Sequence, residues 1–154
     1  MIEIRHAGLP RDIAIVRELF REYAATLGID LDFQNFEGEL ADLPGKYTAP
    51  GGCILLAWQD GAPVGCVALR PVDARRGEMK RLYVRPAARG LRVGHALATR
   101  VCDEARAAGY QAICLDTLET MTPALNLYGA LGFAPIAPYV FNPLQGAVFL
   151  GREL

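Results

Sequence analysis

A basic, glycine-containing turn stands directly before a helical pattern in RPAARGLRVGHALATR, residues 85–100. It places Arg85, Arg89 and Arg92 around Gly90 and Gly94. The first backbone N–H groups of a helix have no acceptor inside the helix, and the helix dipole adds positive charge there. Each such interaction contributes about 0.3–1 kcal/mol when exposed and up to about 2 kcal/mol when partly buried. The turn therefore predicts a binding site for an anion such as a pyrophosphate.

Two familiar phosphate-binding loops do not match this turn. The P-loop of nucleotide triphosphatases has Lys-Ser or Lys-Thr after its second glycine, and neither pair follows Gly94. The GxGxxG pattern of dinucleotide-binding folds is also missing here. A nucleoside triphosphate and NAD are thus poor candidates for the ligand. Taken alone, the turn could equally be an ordinary basic connection between a strand and a helix.

The composition favours one compact domain spanning residues 1–154. Of the 154 residues, 52% are hydrophobic, which is enough for a single core. The 16 basic and 17 acidic side chains nearly balance, so the chain has no overall field that would attract nucleic acid or an acidic membrane. The 4 cysteines form no CxxC or Cys/His pattern, which indicates reduced thiols and no metal site. Because the chain has no signal-peptide or membrane-spanning pattern, we expect a cytoplasmic protein.

Hydrophobic periodicity predicts helices and strands in the order β-α-α-β-β-β-α-β-α-β-β. The best-defined helices are residues 11–27, which end at Gly28, and the helix that runs from Arg92 to Gly109. In the second of these, one side is apolar: Val93, Leu97, Val101 and Ala105. A weaker helical pattern covers residues 32–43, and Thr122-Pro123 predicts the N-cap and first residue of a short helix.

The strand patterns predict how the sheet is connected. Asp60-Gly61 indicates a hairpin between CILLAWQ and PVGCVALRPV, and GEMKRLYV follows as a third strand. AICLDTL is typical of a buried strand, and FAPIAPYVF and GAVFLGREL end the chain as two further strands. We therefore expect a mixed, mostly antiparallel α/β sheet with helices on its faces.

Two segments carry a resemblance to a known superfamily: MKRLYVRPAARGLRVGHALA and, some thirty residues later, ALNLYGALGF. With the predicted order of elements, they resemble the Gcn5-related N-acetyltransferase (GNAT) superfamily over the whole domain. That superfamily binds the pyrophosphate of acetyl-CoA on the backbone amides of a signature, Arg/Gln-x-x-Gly-x-Gly/Ala. The matching residues are Arg89, Gly90, Leu91, Arg92, Val93 and Gly94. The resemblance implies a splayed central sheet with about four helices, acetyl-CoA as donor, coenzyme A as product, and no metal.

Two positions depart from the superfamily pattern. Arg92 replaces the first signature glycine. Its amide can still donate a hydrogen bond, provided that the turn does not need a positive φ, which a non-glycine residue adopts reluctantly. Met121 stands where the superfamily often has an asparagine that contacts the cofactor, so this secondary contact is not expected.

The resemblance also implies further cofactor contacts. Leu82, Tyr83 and Val84 match the splayed strand whose exposed backbone pairs with the pantetheine arm of the cofactor. A backbone N–H on that strand would polarise the thioester carbonyl in the way that an oxyanion hole does. His95 lies in the first turn of the signature helix, where we expect it at the surface or close to a phosphate.

Catalytic roles follow from the same resemblance. Tyr128 matches a tyrosine near the thioester sulfur, where a phenol can give a proton to the leaving thiolate. Glu78 matches a strand carboxylate that serves as the base in several branches, and Asp116 matches a base used in others. Glu119, just beyond Asp116, is a third candidate. A route without a protein base, in which bulk water takes the proton, stays open.

The expected function is transfer of an acetyl group to a primary amine of a small molecule, amino acid or peptide, by direct attack in a ternary complex. The near-neutral charge disfavours a strongly basic protein tail as the acceptor. The acceptor pocket is expected between residues 11–45 and the last hairpin, residues 138–149. A sensor that binds acyl-CoA without turnover and a transferase for a longer acyl group are the alternatives. Exposed strands at the sheet edges leave a homodimer open.

Overall fold

The computed structural model describes residues 1–28, 30–31 and 34–154. A single seven-stranded sheet organises this part of the chain. In chain order the elements are β1 (Ile2–His6), α1 (Ile13–Leu27), α2 (Phe36–Ala41), β2 (Cys53–Gln59), β3 (Ala62–Pro71), β4 (Arg76–Val84), a 3-10 turn (Pro86–Ala88), α3 (Val93–Ala107), β5 (Ala112–Leu118), α4 (Thr122–Ala130), β6 (Ala134–Pro135) and β7 (Ala147–Glu153). The predicted order of strands and helices is thus confirmed.

The strands lie side by side in the order β1-β2-β3-β4-β5-β7-β6. Neighbouring strands are antiparallel throughout, except that β4 and β5 are parallel. The predicted hairpin joins β2 to β3 through Asp60 and Gly61, both with positive φ. The mixed, mostly antiparallel sheet is confirmed, and its single parallel pair joins the central strand β4 to β5.

Both faces of the sheet are covered by helices. One buried cluster joins α3 and α4 to the sheet and includes Leu55, Leu97 and Tyr128. The other joins α1 and α2 to the opposite face and includes Phe20, Leu40 and Leu56. Since successive residues of a strand point to opposite faces, neighbours such as Leu55 and Leu56 belong to different clusters. This double burial explains why β2 and β3 have almost no polar alternation.

Two predicted helix boundaries need correction. The second helix covers Phe36–Ala41 only, and Asp32 and Phe33, where the prediction began, lie outside the described residues. In α4, Thr122 is the first helical residue rather than the N-cap. Met121 takes the N-cap position and makes no side-chain capping hydrogen bond. The position of Pro123 near the start of the helix agrees with the prediction.

The strand predicted over residues 133–141 is also wrong in most of its length. Only Ala134–Pro135 pairs with β7, at Gly151 and Leu150. The backbone of Ile136 adds one hydrogen bond to Phe149, and the chain then leaves the sheet. Pro135 and Pro138 explain the early end, because proline has no N–H to donate to a neighbouring strand. The irregular segment that follows lies next to the site described below.

All 4 cysteines are free thiols. Burial raises the pKa of Cys114 to about 11 and that of Cys53 to about 12, so both thiols are protonated near neutral pH. Within the described residues, no helix has both the length and the apolar character needed to cross a membrane.

Candidate active site

The pairing between β4 and β5 ends early and opens a wedge in the sheet. The two strands pair only where Arg76–Glu78 faces Ala112–Cys114. Beyond this point β5 continues along β7 to Leu118, whereas β4 continues to Val84 and, within the described residues, has no partner strand on that side. The backbone of Leu82, Tyr83 and Val84 therefore borders the opening, and the splayed sheet predicted from the sequence is confirmed.

A cavity of about 430 Å³ occupies this wedge. It reaches from the signature turn, through Arg89 and Gly94, to the last loop, through Asn142 and Leu144. The other lining residues come from both sheet faces: Tyr23, Thr26, Leu27, Leu31, Gln34, Met79, Lys80, Arg81, Leu82, Tyr83, Val84, Leu115, Asp116, Thr117, Leu118, Met121, Pro123, Ala124, Leu127 and Tyr128. One continuous space thus connects the predicted anion site with helices α1 and α4.

The signature turn presents backbone donors at the start of α3. The first helical hydrogen bond runs from the Ala96 N–H to the carbonyl of Arg92, so the N–H groups before it point out of the helix end. Arg92 has φ 60° and Gly90 has φ 86°, both in the left-handed region. The condition stated above, that the turn does not need a positive φ at Arg92, is therefore not met. A non-glycine residue in this region costs about 1–3 kcal/mol.

Gly94 lies where a side chain would enter the cavity. A Cβ atom built there would lie 3.7 Å from Leu127 Cδ2 and 3.8 Å from Val84 Cγ2. Those two residues stand on α4 and β4, on either side of the wedge. The missing side chain keeps this passage open beside the donor-rich turn. The site therefore fits a ligand that has an anionic group on the turn and a narrow arm in the wedge.

The three arginines of the opening stretch are separated by the fold. Arg89 is exposed, lines the cavity and donates from Nε to the Val84 carbonyl at 3.3 Å. Arg92 is exposed at the helix start. Arg85 instead turns back to α1, where Nη2 lies 2.7 Å from Glu22 and 2.9 Å from Glu18. Only Arg89 and Arg92 are therefore placed to meet an anion.

The remaining predicted cofactor contacts are of two kinds. Gly90 and Leu91 are exposed on the turn, Val93 is buried against the core, and His95 is half-buried in the first turn of α3. In the part of the chain that the structure describes, none of these four residues lines the cavity. They shape the turn itself. Tyr83 is buried and its hydroxyl donates to Glu22 Oε1 at 3.1 Å, which fixes the strand against α1.

Tyr128 lies at the centre of the cavity wall. Its side chain is 7% exposed and packs against Phe133, with ring centroids 5.7 Å apart. Burial, together with the nearby Tyr23 and Asp116, raises the pKa of its hydroxyl, which therefore stays protonated at neutral pH. No hydrogen-bond partner for this hydroxyl occurs among the described residues. A protonated, unengaged phenol in a cavity can act as a proton donor.

Asp116 faces the same cavity from β5. Its side chain is half-buried, and Oδ2 accepts a hydrogen bond from Asn142 Nδ2 at 3.0 Å. Asn142 lies in the irregular segment before β7, and its Oδ1 also accepts from the Leu144 N–H at 3.0 Å. Asp116 and Tyr128, which are twelve residues apart in the chain, are thus brought together. Glu119 is exposed and does not line the cavity.

Glu78 is placed differently from the other two catalytic candidates. It is 1% exposed, does not line the cavity, and both of its oxygens are engaged. Oε1 accepts from Arg70 Nε at 2.8 Å and Oε2 accepts from the Tyr139 hydroxyl at 2.6 Å. Burial disfavours its charge, but the charges of Lys80 and Arg70 and these two hydrogen bonds outweigh burial and lower its pKa. Glu78 is therefore a weak proton acceptor held in a buried network.

Lys80 is a cavity residue that the sequence reasoning missed. It is 8% exposed, and its Nζ donates to Gln34 Oε1 at 3.3 Å. Burial lowers the pKa of its ammonium, and the charge of Glu78 opposes that effect. The one available signal was its position two residues after Glu78 in a strand, which predicts that both side chains point to the same face.

A β-bulge next to Lys80 brings two cations to one face of β4. On β3, Cys66 and Ala68 are two apart, whereas their partners on β4, Tyr83 and Lys80, are three apart. The extra residue has φ 61° at Arg81, whose guanidinium pairs with Glu39 of α2 at 3.0 Å. Lys80 and Arg81 therefore both face α1 and α2, although they are consecutive in the strand.

Known proteins share this architecture. Residues 14–133 match the acetyltransferase (GNAT) family. The chain is 40% identical to an uncharacterized N-acetyltransferase of Schizosaccharomyces pombe, over 99% of this chain and 95% of that protein. Its fold is similar to that of an acetyltransferase from Streptococcus agalactiae, with a TM-score of 0.80, 24% identity, and coverage of 99% of this chain and 98% of that chain.

A second solved structure is similar in fold and contains coenzyme A. It is the PaiA N-acetyltransferase of Thermoplasma acidophilum, with a TM-score of 0.77, 18% identity, and coverage of 100% of this chain and 99% of that chain. The family match spans most of the sequence, including the signature turn and Tyr128. The wedge, the donor-rich turn and these similarities lead to one conclusion: the chain belongs to the GNAT family of acetyltransferases and is an acyltransferase.

Proposed function

We propose that the protein transfers the acetyl group of acetyl-CoA to a primary amine in a ternary complex. The observation that carries this proposal is the single cavity that connects the signature turn to Tyr128 and Asp116. Bound acetyl-CoA would supply an acetyl thioester. The backbone donors of the turn, with Arg89 and Arg92, would hold its pyrophosphate, and the gap at Gly94 would admit its pantetheine arm.

The side chains around the wedge suit direct transfer. The neutral nitrogen of the acceptor forms a C–N bond to the acetyl carbon as the C–S bond breaks. The nitrogen loses one proton to the Asp116 carboxylate or to water, and the sulfur gains one from the Tyr128 hydroxyl. Asp116 then gives up the proton to water and Tyr128 regains one from water, so that overall one proton moves from nitrogen to sulfur. None of the cysteines lines the cavity in the described residues, which supports direct attack over an acyl-cysteine route.

The position of Glu78 bears on the choice of base. A base must reach the acceptor nitrogen directly or through one water. Asp116 lines the cavity, and its Oδ1 makes no hydrogen bond with a described side chain. Glu78 does not line the cavity, and both of its oxygens are hydrogen-bonded. We therefore assign the base to Asp116 and a role in positioning β4 to Glu78.

Calorimetry and turnover test this function together. Titration of the protein with acetyl-CoA is expected to detect binding. Free-thiol release with a panel of amines is then expected to identify acceptors: the common amino acids, spermidine, tryptamine, kanamycin and an unblocked alanine peptide. Tyr128→Phe is expected to lower kcat about 10²-fold. Failure to bind acetyl-CoA or coenzyme A at millimolar concentration would overturn the proposal. Binding without any turnover would instead favour an acyl-CoA sensor.

A further inference from the structure

Three buried or half-buried cations lie on the face of β3 and β4 that is covered by α1 and α2. Two of them have a carboxylate partner: Arg70 lies 2.8 Å from Glu78, and Arg81 lies 3.0 Å from Glu39. Lys80 is the exception. Among residues 1–28, 30–31 and 34–154, no carboxylate oxygen lies within 4.0 Å of its Nζ.

Two carboxylates, Glu78 and Asp116, act electrostatically on Lys80, and both are engaged elsewhere. Glu78 gives one oxygen to Arg70 and the other to Tyr139. Asp116, on the next strand, accepts from Asn142 and makes no ion pair in the described part of the chain. Both carboxylates act on Lys80 through space only. Within the described residues, the ammonium therefore makes one hydrogen bond, to the neutral amide oxygen of Gln34.

An ammonium in this position is costly unless an anion joins it. A buried charge without a partner loses its hydration and gains little in return, which is why buried lysines are normally paired. Lys80 is buried but lines the cavity, so the missing partner can come from inside the cavity. Asp116 offers the opposite charge on the wall formed by β5. We call the part of the cavity around Lys80 and Asp116 the acceptor end. It thus carries one positive and one negative group, and these two groups form no ion pair with each other.

We propose that the acceptor is an amine that also bears a carboxylate, as an amino acid does, and that Lys80 binds this carboxylate. This inference rests on the proposed acetyl transfer. Lys80 and Gln34 hold the carboxylate, while the amine faces Asp116 and Tyr128. Leu27, Leu31 and Leu144 line the same end of the cavity and provide room for an apolar side chain.

A carboxylate fits this end better than a phosphate does. A phosphate monoester carries nearly two negative charges near pH 7 and is normally met by several cations or donors. Lys80 is the one cavity cation on this face without an ion pair among the described residues, since Arg81 is taken by Glu39. One ammonium and one amide suit a single negative charge.

Matched pairs of acceptors test the inference. Leucine, methionine, phenylalanine and tryptophan are each compared with the corresponding primary amide in the thiol-release assay, and phosphoethanolamine is compared with β-alanine. Hydrogen bonds to charged groups contribute about 1.5–3 kcal/mol, so at least one acid is expected to exceed its amide about 10- to 150-fold in kcat/KM. β-Alanine is expected to exceed phosphoethanolamine.

The variant Lys80→Met removes the charge and keeps most of the side-chain volume. It is expected to reduce the preference for the acid to about 3-fold or less, mainly through a higher KM for the acid, whereas Lys80→Arg keeps part of the preference. Lys46→Met is the matched control, because Lys46 is exposed and does not line the cavity. Equal use of acids and amides by the native protein, or an unchanged preference in Lys80→Met, would overturn the inference.

Two further measurements separate this inference from the proposed function. Calorimetry with acetyl-CoA is expected to give the same affinity for Lys80→Met and for the native protein. A failure of the native protein to bind acetyl-CoA would therefore contradict the proposed acetyl transfer, and not the role of Lys80 in particular. Binding of N-acetyl-leucine and N-acetyl-leucinamide to the protein saturated with coenzyme A gives a readout that does not need turnover. The acid is expected to bind more tightly, and equal binding or a preference for the amide contradicts the inference.

Discussion

The two ends of the cavity are built from different parts of the chain. At the proposed cofactor end, around the signature turn, the donors are backbone N–H groups, and the open passage depends on an absent side chain at Gly94. At the acceptor end, side chains from three separate regions meet: Lys80 on β4, Asp116 on β5 and Asn142 before β7. Backbone donors do not depend on side-chain identity, so they suit a group that a whole family binds. Side-chain contacts can instead be changed by single substitutions, so they suit a ligand that differs between proteins.

The largest effect that separates the two ends is expected at Asp116. Asp116→Asn removes the proposed base and keeps an acceptor for Asn142, so kcat is expected to fall about 10²- to 10⁴-fold. Acetyl-CoA affinity, which depends on the other end, is expected to be unchanged in calorimetry. The same carboxylate-to-amide change in Glu78→Gln should cost far less turnover. A larger loss in Glu78→Gln would transfer the role of base to Glu78.

At the cofactor end, the matching change is Gly94→Leu. A leucine side chain would fill the gap between Val84 and Leu127, and overfilling of a packed site costs about 1–3 kcal/mol. The Kd for acetyl-CoA in calorimetry is therefore expected to rise about 10- to 100-fold. Gly129→Leu is the control, because nothing lies within 4 Å of a Cβ built at Gly129 in α4. Equal effects of the two variants would mean that Gly94 does not border the pantetheine passage.

We expect Glu78 to contribute to stability rather than to either end of the cavity. Glu78→Gln leaves Arg70 without its carboxylate, so we expect the free energy of unfolding to fall by about 1.5–3 kcal/mol at pH 7. The folded-state pKa of Glu78 lies below its ordinary 4.5, so its stabilisation is present above pH 4.5 and is lost as the pH falls through the folded value. Urea unfolding of both proteins at several pH values should therefore converge in acid. A constant difference across pH would contradict the assignment.

The smallest effect concerns the backbone of the signature turn. Arg92→Gly relieves a left-handed conformation, and we expect it to raise the free energy of unfolding by about 1 kcal/mol. Arg92→Ala is the comparison, since alanine removes the side chain but keeps the Cβ that disfavours positive φ. Urea unfolding should rank glycine above alanine. Identical stabilities for the two variants would indicate that the turn is not strained in the free protein.

The difference between the two ends also explains what the sequence could predict. The cofactor end lies in consecutive residues, so Arg89 to Gly94 and the strand before them were found from local pattern. Asp116 and Tyr128 were identified through spacing and resemblance. Lys80, Gln34 and Asn142 were not, because their meeting depends on tertiary contacts between elements far apart in the chain.

Local conformation was the other limit of prediction. Periodicity located the helices and most strands, since each has a buried face. It could not show that Pro135 and Pro138 end the pairing of β6, or that Arg92 takes a positive φ where a glycine is usual. The burial of Glu78 could not be predicted either, because its partners Arg70 and Tyr139 come from β3 and from the segment between β6 and β7.

The single inserted residue at Arg81 changes which side chains of β4 face α1 and α2. Before it, the even-numbered side chains Glu78 and Lys80 face α1 and α2, and after it the odd-numbered Tyr83 does so. Shortening β4 by one residue here would exchange the inner and outer side chains of everything beyond it. Leu82 and Val84 would then turn to the face covered by α1 and α2, and Tyr83 would turn to the face covered by α3 and α4. Any homologue that keeps these side-chain orientations must therefore keep the length of β4.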